Sequence, residues 1–354
     1  MRVLVVCDWF LKYAASQALA LQRSGADVFL LCRDHALEFG GSGAERRDTL
    51  RSAADRVTMG VLPGRISSPS ALKDVGRLRR SVRTWRPDVV HAHDNADPRL
   101  LMIVSGLTRV TTVHDPAPHP GQPQLPRFQE AIRRRWIRGS AAVVVHGEAL
   151  IGALPGWARP RHVAVIPHGA AVRQHPLPIP SRPTVLLFGR LEPYKGVEVL
   201  LQAMKLVWAE RPEVRLIVAG SGPEASHVPD DHRIELRQGY VPEAELDTLF
   251  GEATIAVLPY VEASHTGVGT YALGRGVPTI VTDVGALGEI AVDSRFLVPP
   301  RDADLLSQAI LRHLDHDQKL RQSMLLFARE RLSWDACARQ GLDLYESLVP
   351  ASGS

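Results

Sequence analysis

The sequence predicts an α/β protein made of two doubly wound domains that face each other across a cleft. Three observations support this prediction. The chain has 354 residues, which is long for one hydrophobic core and suits two domains. Short apolar runs alternate with helical patterns, as expected for parallel sheets covered by helices. A proline-rich stretch, residues 172–184, reads as an extended hinge, and the alternation starts again after it.

The apolar runs predict the strands of each domain. In the first domain, residues 1–171, they lie at 3–7, 28–32, 89–91, 110–113, 141–145 and 163–166, with helices at 14–23, 71–85 and 128–138. In the second domain, residues 185–332, they lie at 185–188, 214–219, 234–236, 255–258 and 279–281. Three helical segments follow from about residue 302 to residue 348, and we expect the last segment, 333–354, to pack back towards the first domain. Ligands of such sheets bind beyond the carboxyl ends of the strands, which places the site in the cleft.

The composition indicates a folded cytoplasmic protein. It is 45% hydrophobic and 23% charged, as in ordinary globular domains. No stretch reaches the ~20 apolar residues that a membrane span requires. The N-terminus lacks a signal-peptide layout, because Asp8 interrupts its apolar run. The three cysteines, Cys7, Cys32 and Cys337, have no CxxC spacing and are expected to be reduced core thiols.

Charge is unevenly distributed along the chain. Residues 1–180 hold 25 Lys and Arg against 14 Asp and Glu, a net charge of +11, whereas the remainder holds 17 against 24, a net charge of −7. The basic half indicates an anionic partner. We find no nucleic-acid-binding motif. A phosphorylated acceptor or a peripheral contact with an anionic membrane surface, at the inner face of the membrane, is therefore favoured over nucleic acid.

The loop "GRLEPYKG", residues 189–196, joins a predicted strand to a predicted helix and carries Arg190 and Lys195. Amides at a helix N-terminus carry partial positive charge, so loop and helix together would form a pocket for a diphosphate. The alternative is a connecting loop with two solvated basic side chains. The spacing differs from that of a P-loop, and no GxGxxG follows the first strand, which argues against ATPase and dinucleotide-binding functions.

A second stretch, residues 259–290, also passes from a strand through a loop into a helix. The loop carries Glu262, followed by the small residues of "HTGV" at 265–268. Small residues let a ligand approach the helix amides closely. A carboxylate beside them can accept hydrogen bonds from sugar hydroxyls, so this loop is a candidate sugar-binding element.

Six segments resemble, in order, those of the retaining, nucleotide-sugar-dependent glycosyltransferases of the GT-B fold (family 4, glycosyl transferases group 1). They are "PDVVHAHD" (87–94), "TVHDPAP" (112–118), "VIPHGA" (165–170), "VLLFGRLEPYKG" (185–196), "LIVAGSGPE" (216–224) and "GYVPEAEL" (239–246). The resemblance covers nearly the whole chain. It implies two Rossmann-like domains and a UDP- or GDP-linked sugar donor, with no metal and no other cofactor.

The resemblance also implies roles for individual donor-side residues. Arg190 and Lys195 match the basic pair that holds the donor diphosphate, beside the backbone of Gly267 and Val268. Glu262 matches the first glutamate of the family signature. It would contact the donor sugar together with His114, and these two residues and the basic pair are the implied catalytic residues. The other implied positions are His265, Thr266 and Gly267 for the sugar, and Gly189, Tyr240, Val241 and Tyr271 for the nucleoside.

The sequence departs from the family pattern at two places. Tyr271 stands where the second glutamate of the signature belongs, which puts ribose recognition in doubt. The first strand–helix loop, "CDWFLKYAAS", lacks the usual glycine pair. Asp8, Lys12 and Tyr13 from this loop are candidates for the acceptor side, together with His93.

Two patterns that mimic metal sites have simpler explanations. Asp302 and Asp304 resemble a DxD metal motif, but an aspartate directly before a helix is more often an N-cap. His91 and His93 could chelate an ion, yet we expect them to point to opposite faces of a strand. No metal site is therefore predicted.

An arginine-rich helix, residues 127–140, offers two interpretations. Arginines 133, 134, 135 and 138 could meet anionic headgroups, with Trp136 at the membrane interface. The simpler interpretation, which we favour, is a helix packed on the sheet with a solvated basic face.

The sequence thus predicts a retaining, metal-independent hexosyltransferase that moves a sugar from a nucleoside-diphosphate donor to a hydroxyl of a glycan, glycolipid or small molecule. Two alternatives stay open. One is an epimerase or phosphorylase of the same architecture. The other is a non-catalytic subunit that binds a sugar nucleotide, which the missing second glutamate would explain.

Overall fold

The computed structural model describes residues 1–33, 43–63, 71–116, 125–158 and 162–349; the end of the predicted C-terminal segment, 350–354, lies outside them. The chain divides into two units. Among the described residues, unit 1 holds 1–116, 125–167 and 334–349, and unit 2 holds His168–Ser333. The predicted hinge, residues 172–184, therefore lies within unit 2.

Within the described residues, unit 1 is built on a parallel sheet of seven strands in the order β3-β2-β1-β4-β5-β6-β7. The strands are β1 Arg2–Cys7, β2 Asp27–Arg33, β3 Thr58–Leu62, β4 Val89–His93, β5 Arg109–Thr112, β6 Ala142–Val145 and β7 His162–Val165. The order reverses between β1 and β4, which creates a crevice at their carboxyl ends. The sequence analysis missed β3, because "TMGVL" alternates buried and exposed positions instead of forming an apolar run.

Helices cover both faces of this sheet. They are α1 Leu11–Arg23, α2 Gly43–Ala54, α3 Ala71–Trp85, α4 Pro98–Ile103, α5 Arg127–Arg138, α6 Ala149–Ala153 and, from the end of the chain, α12 Trp334–Leu348. Helix α12 packs along α1 and buries Cys337 and Tyr345 in the unit 1 core. All three cysteines are buried and free, as predicted.

The described part of unit 2, His168–Ser333, contains a parallel sheet of six strands in the order β10-β9-β8-β11-β12-β13. The strands are β8 Thr184–Phe188, β9 Arg215–Gly220, β10 Ile234–Gln238, β11 Ile255–Leu258, β12 Thr279–Thr282 and β13 Leu297–Val298. The helices are α7 Val197–Glu210, α8 Glu243–Gly251, α9 Gly267–Leu273, α10 Ala303–Leu314 and α11 Gln318–Phe327, followed by a π-helical turn at Ala328–Leu332. The short strand β13 was not predicted.

A buried arginine fixes the proline-rich segment to unit 2. The side chain of Arg321 is fully buried, and its guanidinium donates to the carbonyl oxygens of Leu177 and Pro178, each at 3.2 Å, and of Ala253 at 2.6 Å. Because carbonyl groups satisfy the buried donors, this charge needs no carboxylate partner.

None of the described helices is long and apolar enough to cross a lipid bilayer.

Candidate functional site

The two loops singled out in the sequence meet at the carboxyl edge of the unit 2 sheet. One follows β8 and the other follows β11, which are neighbouring strands. The backbone N–H of Val261 donates to the carbonyl of Tyr194 at 2.8 Å. A Cβ atom on Gly196, where φ is +69°, would lie 2.0 Å from the carbonyl oxygen of Pro259. Only glycine permits this approach, so the sequence "YKG" is what lets the loops pack together.

Lys195 is held in place by aromatic rings. Only 9% of its surface is exposed. Its ammonium lies 3.9 Å from the ring centroid of Tyr260 and 5.2 Å from that of Tyr194, within the range of cation–π attraction. Arg190 is exposed, and its Nη2 donates to the Tyr194 hydroxyl at 3.3 Å. One short loop therefore carries two cations, one buried against aromatic rings and one exposed.

Two glycines leave space beside Lys195 that a side chain would otherwise fill. Gly189 has φ +128°, and a Cβ there would lie 3.9 Å from the Lys195 Nζ and 3.6 Å from the Val268 side chain. Gly220 has φ +141°, and its Cβ would lie 1.8 Å from the Gly189 carbonyl oxygen. Three of the predicted donor-site residues, Gly189, Lys195 and Val268, thus surround the same small space.

The loop before α9 is anchored at both ends. The Thr266 hydroxyl accepts from the N–H of Gly269 at 3.2 Å and caps the helix. The Ser264 carbonyl accepts from the N–H of Ala286 at 2.9 Å, which ties the loop to the segment after β12. Glu262, two residues before Ser264, is exposed, and so is Gly267, the first residue of α9. The loop is therefore a rigid frame with one carboxylate at its rim.

His168 belongs to this loop cluster but was not singled out in the sequence. Its ring stacks on His265 with centroids 5.1 Å apart, and its Cε1 would lie 3.2 Å from a Cβ on Gly267. Its Nδ1 lies 3.0 Å from the Gly169 carbonyl oxygen, so the neutral ring donates there and leaves Nε2 as an acceptor. Burial, with a smaller effect of His265, lowers the pKa of His168 to about 3. Its segment, "VIPHGA", was noted for the family resemblance, but nothing in its spacing marks the histidine.

Of the four predicted nucleoside residues, Gly189 lies beside Lys195 and the other three lie next to α8. Tyr240 and Val241 line a cavity of about 290 Å³ against α8. Tyr271 instead donates its hydroxyl to Asp247 Oδ1 at 2.8 Å. Burial and the bond to Asp247 raise the pKa of Tyr271, and the nearby Arg275 opposes this effect. Tyr271, which stands at the position of the second glutamate, thus donates a hydrogen bond to a residue of α8.

The carboxyl edge of unit 1 carries a row of buried imidazoles. His93 Nε2 lies 2.8 Å from Gln17 Oε1, and His93 Nδ1 lies 3.3 Å from His114 Nε2. His114 Nδ1 lies 3.0 Å from His146 Nε2, and His146 Nδ1 lies 2.9 Å from the Ile166 carbonyl oxygen. Since a carbonyl only accepts, His146 carries a proton on Nδ1. Both ring nitrogens of His114 are engaged by imidazoles, so a hydrogen bond to a sugar would require one of these bonds to open.

The three acceptor-side candidates from the loop after β1 and the start of α1 have different surroundings. Tyr13 is buried, with its ring edge-on to His93 and His114 at centroid distances of 5.0 and 4.9 Å. Lys12 pairs with Glu45 at 2.6 Å. Asp8 is half-buried at the crevice between β1 and β4, where Oδ2 accepts from the Ala96 N–H at 3.0 Å. Burial raises the pKa of Asp8 to about 6.

One expectation about the histidines was wrong. The rings of His91 and His93 stack with centroids 5.1 Å apart, so they share one face of β4. Residues two apart in a strand point to the same side, which is the physical reason. His91 bonds to the hydroxyls of Thr112, at 2.6 Å, and Tyr345. Burial lowers the pKa of His91 to about 3, so it is a neutral core histidine.

Two further sequence interpretations can be compared with the structure. Asp302 caps α10 by accepting from the N–H of Leu305 at 2.8 Å, as predicted. Trp136 is fully buried in the core of unit 1, which contradicts its placement at a membrane interface. Arg133 also turns inward and pairs with Asp94 at 2.6 Å.

The fold is that of the GT-B class of glycosyltransferase structures. Sucrose-phosphate synthase from Thermosynechococcus elongatus matches with a TM-score of 0.70 at 19% identity, over 99% of this chain and 100% of that one. Anabaena Alr3699/HepE in complex with UDP and glucose matches with a TM-score of 0.72 at 15% identity, over 98% and 100%. At these identities the likeness concerns the fold.

The sequence comparisons specify the family. The family model "Glycosyl transferases group 1" matches residues 182–316, and "Glycosyl transferase 4-like domain" matches residues 11–169. The chain belongs to the group 1 glycosyltransferase family.

Curated relatives agree with this assignment. A glycogen synthase of Mycobacterium tuberculosis is 30% identical over 278 residues, which is 72% of this chain and 66% of the relative. A GDP-mannose:glycolipid 4-beta-D-mannosyltransferase of Xanthomonas campestris is 29% identical over 191 residues, half of each chain. The chain thus spans between half and two thirds of the length of these relatives.

Proposed function

We propose that this protein is a retaining glycosyltransferase that moves a hexosyl unit from a nucleoside-diphosphate sugar to an acceptor hydroxyl without a metal ion. The observation that carries the proposal is the meeting of the two unit 2 loops. Because these loops meet, Lys195 and Arg190 lie close to Gly189, which has no side chain, and to the loop before α9.

The chemistry follows from where the positive charge lies. Breaking the bond between the sugar and the diphosphate gives an oxocarbenium-like transition state and leaves growing negative charge on the leaving phosphate. Lys195, fixed over Tyr260, offers a preorganised cation for that charge, and Arg190 can add a forked pair of donors. Attack by the acceptor on the face that the diphosphate leaves would retain the configuration, with a phosphate oxygen taking the acceptor proton. Catalysis then rests on positioning and charge stabilisation.

Other residues would select the substrates. Glu262, at the rim of the frame, would accept hydrogen bonds from donor-sugar hydroxyls, and the His168 Nε2 is a further acceptor beside Gly267. The cavity lined by Tyr240 and Val241 would take the nucleobase. One neighbouring structure contains UDP and glucose, and one relative is named for GDP-mannose and a glycolipid acceptor, which favours UDP or GDP donors and a glycan or glycolipid acceptor.

The test is release of nucleoside diphosphate from UDP-, GDP-, ADP- and dTDP-sugars, with EDTA in a parallel series. We expect slow release from one donor, unchanged by EDTA and lost in Lys195→Ala. Release that stops with EDTA would contradict the metal-independent mechanism. A donor that raises the melting temperature but is never cleaved, with or without glycan acceptors, would favour the binding-only alternative. Interconversion of the sugar without nucleotide release would favour an epimerase.

A further inference from the structure

A cavity at the amino edge of the unit 1 sheet has four arginines among its eight lining residues. It lies beyond the start of β5, at the opposite end of that strand from His114, and has a volume of about 650 Å³. We call it the arginine cavity. Its polar lining consists of Ser105, Arg109, Arg134, Arg135, Arg138 and the backbone at Gly139.

Aromatic rings fix three of these guanidinium groups. Arg134 and Arg138 lie over the ring of Trp157, at 4.8 and 5.9 Å from its centroid. Arg109 lies 5.6 Å from the ring centroid of the buried Trp136. A guanidinium held against an aromatic ring can still present the N–H donors along its edge, and these donors bind phosphate in a forked manner.

Arg109 forms the floor of the arginine cavity. Its Nη2 donates to the Gly139 carbonyl at 2.8 Å, and a Cβ on Gly139 would lie 1.9 Å from that nitrogen, so the glycine makes room for it. Its buried Nε has no hydrogen-bond partner within the described part of the chain. Burial and the neighbouring Arg135 both lower the pKa of Arg109. An anion in the cavity would relieve this repulsion.

The positive charge of the arginine cavity is largely uncompensated. Among the described residues, Glu130 is the one carboxylate paired with its four arginines, through Arg134 at 2.9 Å. Arg79 of α3 extends the basic surface by donating to the Met102 carbonyl at 3.0 Å. A cavity of about 460 Å³ beside α2 differs, because Asp48 and Asp55 lie there with two arginines.

We propose that the arginine cavity binds the phosphate group of an anionic ligand, at a site separate from the donor site of unit 2. Two sources share this chemistry, a soluble phosphate compound and the headgroup of an acidic lipid. The inference does not depend on glycosyl transfer, because it rests on side chains at the amino edge of unit 1.

The test measures binding of inorganic pyrophosphate by calorimetry, in the full chain carrying Arg190→Ala and Lys195→Ala so that the donor loop does not contribute. Adding Arg135→Ala and Arg138→Ala should weaken binding at least ~10-fold, since each removes a charged hydrogen-bond donor. The matched control adds Arg51→Ala and Arg56→Ala, which are equally exposed and line the mixed cavity, and should change the affinity less than ~2-fold.

A second experiment distinguishes the two sources of the phosphate group. Sedimentation with phosphatidylglycerol vesicles, against phosphatidylcholine vesicles, should show binding that the Arg135 and Arg138 changes abolish if lipid is the ligand. Pyrophosphate binding that depends on these arginines, without vesicle binding, would assign a soluble phosphate compound. Arg109→Gln, which removes the charge but keeps a polar side chain in the floor of the cavity, should also weaken binding. The proposal is overturned if neither probe binds, or if both bind equally well in the arginine variant and the control.

Discussion

The carboxyl edges of the two sheets are alike in topology and opposite in chemistry. In unit 2 this edge carries Lys195 and Arg190 next to Gly189, although the second half of the chain is acidic, with a net charge of −7. In unit 1 the corresponding edge carries histidines and Asp8, although the first half of the chain is basic, with a net charge of +11. The unit 1 arginines gather instead at the amino edge. Net charge along the chain therefore indicates which kinds of partner exist, but not which edge of a sheet binds them.

The largest expected effect tests the cationic edge of unit 2. Lys195→Ala should lower turnover at least ~100-fold, because a fixed cation near the leaving group stabilises the transition state more than the bound donor. The matched control is Lys205→Ala on α7, an exposed lysine that should leave turnover within ~2-fold. Steady-state nucleotide release and melting curves measure both. Equal turnover in the two variants would show that Lys195, at the carboxyl edge of the unit 2 sheet, does not stabilise the leaving group.

The next effect concerns how closely the backbone segments of the unit 2 edge approach each other. Gly220 and Gly239 have nearly equal φ values, +141° and +138°, but a Cβ on Gly220 would lie 1.8 Å from the Gly189 carbonyl, whereas one on Gly239 meets nothing within 4 Å. Alanine at either position incurs backbone strain. Gly220→Ala should cost about 1–3 kcal/mol more of unfolding free energy than Gly239→Ala, because it also forces the strands apart.

Urea unfolding of both variants measures this difference, and donor binding to the folded Gly220→Ala protein should weaken as well. A Gly220→Ala protein as stable as Gly239→Ala would show that the loop after β8 moves freely. The close packing of this loop against Gly220 would then be unnecessary for the fold.

The sequence could predict the parts of the molecule that depend on local pattern. Apolar runs predict most strands, and Asp302 follows the rule for helix caps. The histidine row could not be predicted, because Gln17, His114 and His146 come together only when helix α1 and strands β5 and β6 pack. The inward turn of Trp136 depends in the same way on the face of α5 that meets the sheet. The engagement of Tyr271 by Asp247 likewise depends on how α8 packs beside α9.

A smaller effect tests the acidic edge of unit 1. The pKa of Asp8 is raised to about 6 by burial, above its unfolded value, so the folded state holds the proton more tightly. The resulting stability is present below about pH 4 and is lost as the pH rises through about 6. Asp8→Asn should therefore raise the unfolding free energy by about 1–2 kcal/mol at pH 7.5, discounted for partial exposure, and leave it unchanged at pH 4.

The control for Asp8 is Asp55→Asn, an exposed aspartate of the same unit, whose stability should follow wild type at both pH values. If Asp8 also serves the acceptor, Asp8→Asn should lose turnover while it gains stability, a trade-off typical of functional sites. A stability gain of equal size at both pH values would mean that the charge of Asp8 is not the cause.

The smallest effect distinguishes two roles for Tyr271 at the nucleoside side of unit 2. Its hydroxyl donates to Asp247 at 2.8 Å, so Tyr271→Phe should cost about 0.5–1.5 kcal/mol of unfolding free energy. Asp247 keeps its bond from Arg275 Nε at 2.8 Å, which limits the loss. If the hydroxyl serves only α8, UDP or GDP affinity should stay within ~2-fold of wild type. A variant that loses this stability and also binds nucleotide more weakly would show that the hydroxyl leaves Asp247 for the ribose when a donor binds. The tyrosine would then replace the missing glutamate by donating a hydrogen bond where that residue would accept one.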